Sequence, residues 1–326
     1  MQKHLIEILE NLRNKKILVL GDIMLDKYIW GKVKRISPEA PVQIVNVDRE
    51  TYVPGGAANV AANIASLGAS AFMVSIVGND SARDILVAEM KKRNVNTDGV
   101  FVDSSKPTIQ KVRIIGHNQQ LLRIDYEKDN YVDNSVEEDI IGFVKNNLDE
   151  IDAVILSDYA KGVVTERVAK KVIDAANSHG KIIVIDPKPR HKAYYKNVTL
   201  ITPNNTEASE MTGIYGDSDE DVHKMGEIIM SELGCNVLVT RGENGMMLFD
   251  RNSGKNIITI PTKAKEVYDV TGAGDTVVAV LALALCSGAS FKDSALLANY
   301  AAGIVVGKVG TSTASITELR KSIEDD

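Results

Sequence analysis

At 326 residues the chain is long for one minimal domain but within reach of a single large α/β unit. With 44% hydrophobic and 25% charged residues it has the composition of an ordinary globular protein with enough apolar side chains for a sizeable core. Thirty-eight Lys and Arg against 44 Asp and Glu leave a net charge of −6, so there is no basic footprint for nucleic acid.

Taken in chain order, residues 1–16 carry Leu5, Ile8, Leu9 and Leu12 at helical spacing with Glu7, Glu10 and Asn11 between them. That is an amphipathic surface helix, not the unbroken apolar stretch of a secretion signal. The run 16–20 is short and aliphatic and ends in Gly21-Asp22, which predicts a buried strand with a functional carboxyl end. A strand with one wet face comes next at 42–48, then a helix over 60–67 closed by Gly68 and a core strand at 72–77. Further strands are predicted at 110–116, 121–125, 153–157, 181–186, 199–201 and 236–240. Helices fill 81–93, 135–148, 165–178, 206–212 and 219–233, and 276–324 is mostly helical. Strand alternating with helix predicts an α/β fold with a mainly parallel sheet.

Two regions break that rhythm. Residues 26–52 hold Ser37-Pro38-Glu39-Ala40-Pro41 among alternating polar pieces, and 98–125 is similar. They predict a small β-sheet lid built from insertions into one main domain spanning 1–326. The longest apolar run, 277–286, is too short to cross a bilayer, so a cytoplasmic chain with no membrane partner is expected. Cys235 and Cys286 stand far apart among apolar neighbours and read as core residues, and the five histidines show no metal-like spacing.

The segment Asp269-Val270-Thr271-Gly272-Ala273-Gly274-Asp275 precedes a strongly apolar helix. Glycines there let the backbone turn tightly and approach a ligand, and unpaired N–H groups at a helix start point at an anion. Such a hole suits phosphate oxygens whose charge shifts during transfer. Asp275 would repel phosphate unless it takes the proton from an attacking hydroxyl. Asp275 as a helix cap beside turn glycines is the plainer alternative. Gly303 to Lys308 only partly imitates a Walker loop, and no Gly-x-Gly-x-x-Gly follows the first strand.

With Gly55-Gly56-Ala57-Ala58-Asn59-Val60-Ala61 standing about two hundred residues before that segment, the chain resembles the ribokinase-like (PfkB) family of carbohydrate kinases over 16–322. The resemblance implies a mainly parallel central sheet covered by helices on both faces, a β lid over the sugar, ATP as phosphoryl donor with Mg²⁺, and a homodimer made through the lid. Several middle segments are similar to the branch of that family acting on D-glycero-D-manno-heptose 7-phosphate. They are Gly21-Asp22-Ile23-Met24-Leu25-Asp26, Arg35-Ile36-Ser37-Pro38-Glu39-Ala40-Pro41-Val42, Gln119-Gln120-Leu121-Leu122-Arg123-Ile124-Asp125, Leu156-Ser157-Asp158-Tyr159-Ala160-Lys161-Gly162 and Asp186-Pro187-Lys188. This implies phosphorylation at C1 to give heptose 1,7-bisphosphate. Because the chain runs only about fifty residues past Asp275, a kinase-only form is expected, with a phosphatase and a separate adenylyltransferase downstream.

The resemblance also distributes roles. Asp275 is the base, and the backbone of Gly272, Ala273, Gly274 and Asp275 forms the anion hole. Asp22 and Asp26 hold sugar hydroxyls, while Gly55, Gly56 and Asn59 form a second wall of the sugar pocket. Arg123, Lys161 and Lys188 take the phosphate that the sugar already carries, and Arg190 is a further candidate beside them. Asp125, Asp158 and Tyr159 position hydroxyls or order those cations. Asn204 and Glu207 act beside the ATP phosphates, Glu207 on Mg²⁺ through water, although the same pair also reads as a capping box. Thr240, Gly242 and Gly245 lie along the nucleotide, and Asn299 with Ala302 and Gly303 borders the adenine. A kinase for another phosphosugar, such as fructose 1-phosphate or tagatose 6-phosphate, and a catalytically silent sugar or nucleotide sensor remain as alternatives.

Overall fold

The computed structural model describes residues 2–117, 119–128, 130–251, 257–308 and 310–326; Asn118, inside the second expected insertion, lies outside them. The elements run α1 (Gln2–Glu10), β1 (Lys16–Gly21), β2 (Ile23–Ile36), β3 (Gln43–Gly56), α2 (Ala57–Ser66), β4 (Ser70–Val77), α3 (Ser81–Lys92), β5 (Val95–Val102), β6 (Gln110–Gly116) and β7 (Gln119–Tyr126). They continue with α4 (Asn134–Asn147), β8 (Ala153–Ser157), α5 (Glu166–Ser178), β9 (Ile182–Asp186), β10 (Leu200–Ile201), α6 (Asn205–Thr212), α7 (Asp219–Leu233) and β11 (Asn236–Thr240). The last are β12 (Met246–Phe249), β13 (Ile257–Ile260), α8 (Ala273–Cys286), α9 (Phe291–Val305) and α10 (Ile316–Glu324).

Among the described residues the large sheet has the order β13-β12-β11-β10-β9-β8-β1-β4-β5. It is parallel from β5 to β11, and β12 and β13 extend it antiparallel. Its strands alternate between two cores. Ile17 and Val19 face a cluster with α1, α2, α3, α8, α9 and α10, while Leu18 and Leu20 face one with α4, α5, α6 and α7. A strand whose successive side chains are all buried must have helices on both faces, which is why these strands read as unbroken aliphatic runs. Helix α8 is apolar nearly all round because it lies inside the first cluster.

The smaller sheet has the order β3-β2-β6-β7. Strand β2 leaves the carboxyl end of β1, and β3 returns to Gly55-Gly56 at the start of α2, so this sheet stands over the carboxyl edge of the large one. Aliphatic side chains stay exposed on it, Ile36, Val47 and Leu122 among them. The expected strand at 42–48 is part of a strand twice as long. The excursion expected over 98–125 begins later, because Val95–Val102 is the edge strand of the large sheet. Among the described residues no helix is long and apolar enough to cross a membrane.

Strand order reverses between β1 and β8: from β1 the chain steps to β4 and β5 on one side, then to β8 and onward on the other. Loops diverge at such a point and leave a crevice beyond the strand ends. The chain places Asp22 and Tyr159 there.

Candidate active site

Helix α8 starts at this crevice. Its N-cap is Gly272, held at φ 81°, a backbone state that costs a residue with a side chain about 1–2 kcal/mol. A Cβ on Gly272 would also lie 2.6 Å from the Asn59 amide nitrogen. The Ala273 N–H turns back onto the Val270 carbonyl, which leaves the amides of Gly274 and Asp275 as the anion-facing donors of the first turn. Ala273 therefore contributes less to an anion hole than the sequence suggests.

Asp275, in that first turn, is buried. Asn59 Nδ2 donates to its Oδ2 at 2.7 Å, and the Tyr159 hydroxyl donates to its Oδ1 at 2.7 Å. Burial raises the Asp275 pKa to about 6, with Asp26 adding to the rise, against the two donors and Lys188. A carboxylate so tuned is mostly ionised at neutral pH yet basic enough to accept a proton.

A polar cavity of about 170 Å³ opens beside Asp275. Gly272, Gly274, Tyr159, Asp186, Lys188, Asn204, Glu207 and Thr240 line it. Through Thr240, Gly274 and Val277 it joins a mostly apolar cavity of about 500 Å³, lined also by Gly242, Gly245, Ala273, Asn299, Ala302 and Gly303. The nucleotide residues read from the sequence thus surround one groove that leads to Asp275. Asn299 is fixed in its wall by an amide donated to the Pro261 carbonyl at 2.7 Å.

The two readings of Asn204 and Glu207 coexist. The pair is a capping box, with Glu207 N–H to Asn204 Oδ1 at 2.9 Å and Asn204 N–H to Glu207 Oε2 at 3.0 Å. The box aims the other Glu207 oxygen into the cavity, onto the Lys188 ammonium.

Other placements correct the sequence reading. Asp22 is fully buried, and its carboxylate accepts the backbone N–H groups of Tyr159, Lys161 and Val163 at 3.0 Å each. Those bonds hold the 159–163 loop and take three of the roughly four acceptor sites of the Asp22 carboxylate. Asp26 is the better-placed acid. It pairs with Arg113 of β6, touches the position a Gly55 Cβ would occupy, and is one of the charges felt by Asp275. Gly55 and Gly56 end β3 at the crevice, where side chains would meet Asp26 and the Asp22 carbonyl respectively. Asn59 has its amide committed to the Asp275 carboxylate. Asp158 accepts from His191 Nδ1, Tyr195 OH and Ala160 N–H, each at 2.6 Å, and is spent internally.

The cations separate as well. Lys188 stands in the cavity beside Asp275. Burial alone would lower its pKa, but Glu207 and Asp186 outweigh that. Lys161 reaches across to Glu127 at 2.7 Å. Arg123 and Asp125 pair with each other on β7, where the register sets them on the same face of the small sheet as Asp26 and Arg113, close enough for Asp26 to feel the Arg123 charge; neither lines the two cavities. Arg190 is turned onto the Ala160 carbonyl.

Two residues carry no role in the sequence reading. Arg113 has no local signal, since a lone Arg in an alternating strand looks solvated. Asp186 opens the Asp186-Pro187-Lys188 segment, and its pKa is pushed well above the carboxylate range by burial, then by Asp275 and Glu207.

A family model described as pfkB family carbohydrate kinase matches residues 14–318. The chain belongs to that family. Among curated relatives, "Bifunctional protein HldE" of Geobacter metallireducens is 43% identical over 319 residues, covering 98% of this chain and 65% of the relative. The protein of the same name from Desulfatibacillum aliphaticivorans is 41% identical over 311 residues, covering 95% and 63%. The chain therefore spans somewhat under two thirds of these relatives' length. Arabidopsis thaliana ribokinase, solved with ribose and ATP, superposes with a TM-score of 0.72 at 22% identity, covering 96% of this chain and 98% of that one. Phosphofructokinase-2 from Escherichia coli, solved with potassium, gives 0.74 at 22% identity, covering 96% and 99%. These likenesses establish the ribokinase-like fold of the pfkB kinases for this chain.

Proposed function

We propose that this pfkB kinase transfers the γ-phosphoryl group of ATP to the C1 hydroxyl of D-glycero-D-manno-heptose 7-phosphate, giving the 1,7-bisphosphate. The observation that carries phosphoryl transfer is the Asp275 carboxylate, buried and doubly hydrogen-bonded at a glycine-capped helix start, where an apolar groove meets a polar cavity. The heptose assignment rests on the middle segments around Asp26, Arg123, Lys161 and Lys188 and on the kinship with the HldE proteins.

In this reading the apolar groove takes the adenosine, and the phosphates run along Thr240 to the first turn of α8. The amides of Gly274 and Asp275 and the Lys188 ammonium face the transferring group, where charge is redistributed. Asp275 accepts the proton of the sugar hydroxyl as its oxygen bonds to phosphorus and the bond to the ADP oxygen breaks. Asp26, held by Arg113, accepts a sugar hydroxyl at the crevice. The small sheet acts as the lid that keeps water from competing as acceptor.

The donor set also fits a magnesium ion. Asp186 and Glu207 bring carboxyl oxygens to one cavity, where burial, then crowding by Asp275 and Glu207, pushes Asp186 toward its protonated form; that crowding would be relieved by a hard, hydrated cation. They would hold it through water, and when bound it would neutralise charge on the ATP phosphates.

The test is ADP release with Mg-ATP against a panel of manno-heptose 7-phosphate, sedoheptulose 7-phosphate, fructose 1-phosphate, fructose 6-phosphate, tagatose 6-phosphate and ribose. A clear preference for the manno-heptose phosphate is expected. Preference for another sugar removes the heptose assignment but keeps the Asp275 chemistry, and no turnover with any removes the kinase reading. In the same assay Asp26→Asn should raise KM for the sugar roughly 10- to 100-fold, the worth of a charge-assisted hydrogen bond. KM for ATP should stay within about twofold. An unchanged sugar KM would take Asp26 out of the sugar site.

A further inference from the structure

Among the described residues, Tyr159 is the one side-chain donor to the proposed base that comes from outside the helices next to the family's two glycine segments. Its loop is fixed from several sides. Asp22 accepts the N–H groups of residues 159, 161 and 163. Asp158 accepts the Ala160 N–H at 2.6 Å, and Arg190 donates to the Ala160 carbonyl. Ala160 itself has φ 56°, a left-handed state that a side chain disfavours and that persists only where the surroundings over-determine it. All this holds one side chain at one place: the Tyr159 hydroxyl 2.7 Å from Asp275 Oδ1, with the Lys188 ammonium 5.6 Å over its ring.

We propose that Tyr159 is a positioning residue for phosphoryl transfer, fixing the Asp275 carboxylate so that its remaining lone pairs meet the sugar hydroxyl, with Asp22 as the anchor of the loop that carries it. This rests on the reading of Asp275 as the base. With Asn59 on one oxygen and Tyr159 on the other, the carboxylate cannot rotate without losing a donor, yet each oxygen keeps a second acceptor site. Burial and the adjoining Asp275 push the phenol's pKa well above 10, so it stays protonated and donating throughout the working range. The charged groups around Asp275 are Asp26 from β2, Asp186 and Lys188 from the end of β9, and Glu207 from α6. None of them replaces a lost phenol hydrogen bond.

The experiment compares the full chain with Tyr159→Phe by carboxyl ¹³C NMR titration, the Asp275 signal being assigned by its loss in Asp275→Asn, and by kinetics on the preferred sugar. Losing the phenol should move the Asp275 titration up by roughly one pH unit and lower kcat about tenfold, with KM for ATP unchanged. If Tyr159 only fills space, Phe preserves both, and an unmoved titration with unchanged kcat overturns the proposal. Should the Phe variant fold poorly, 3-fluorotyrosine in place of Tyr159 keeps the ring and strengthens the donor. The Asp275 titration should then move down, and no movement counts against the proposal equally. Turnover retained in Asp275→Asn would instead overturn the base reading, while the titration still decides whether Tyr159 holds Asp275.

Discussion

Asp275→Asn is expected to lower kcat by about 10²- to 10⁴-fold, the usual worth of a positioned general base. The amide keeps the size of the side chain but accepts no proton at working pH. It also presents an NH₂ to one of two donors, Asn59 or Tyr159, that now face a carboxylate oxygen. ATP affinity, measured by calorimetry, should hold or rise slightly, because Asp275 lines the polar cavity and lies outside the apolar one proposed for the adenosine. The wild-type chain should show the same group in its pH profile. The base must be ionised, so kcat/KM should fall about tenfold per pH unit below the raised pKa of about 6. An ordinary carboxylate would keep activity until well below pH 5. Turnover within tenfold of wild type in the Asn variant, or an activity plateau reaching pH 4, would remove Asp275 from the base role.

Gly272→Ala is expected to be nearly as damaging, though it touches no ionisable group. At φ 81° the new side chain costs about 1–2 kcal/mol in backbone strain. The larger effect is local. The Cβ would stand 2.6 Å from Asn59 Nδ2, so the amide must withdraw from Asp275 or the helix start must shift. Either change displaces the base or the anion-facing amides, and misplacement of that order costs roughly 10² in rate. The expected result is a kcat about 100-fold lower in a chain that still unfolds cooperatively in a thermal melt. A variant with wild-type kcat would show that the close approach of Gly272 to Asn59 has no part in the chemistry.

Much of this site is legible in the chain because its signals are local. The glycine turn before a long apolar helix marks the glycine-capped start of α8, at the polar cavity, without any knowledge of the fold. The aliphatic runs at 16–20, 153–157 and 236–240 mark parallel strands because both of their faces are buried. The edge strand Val95–Val102 is hidden because it carries Asn96, Thr97 and Asp98, where only one side packs. The β12 and β13 hairpin is hidden because both strands are only four residues long, and the turn at 242–245 signals a bend but not the strand beyond it. The roles of the acids are hidden for another reason. Asp22 and Asp26 look alike in sequence. They are separated by a loop more than 130 residues away, which takes up the Asp22 carboxylate, and by a strand that brings Arg113 to Asp26. The place of Lys188 is hidden for the same reason, since the partner that fixes it, Glu207, is presented by a helix cap.

The position of the new phosphate tests the account most directly. The purified chain would be incubated with Mg-ATP and D-glycero-D-manno-heptose 7-phosphate, and the product followed by ³¹P NMR with coupling to the sugar protons. The account predicts a second phosphorus resonance coupled to the anomeric proton, appearing in step with ADP and absent with Asp275→Asn. A phosphate on any other carbon, or ADP formed without a phosphorylated sugar, would contradict it.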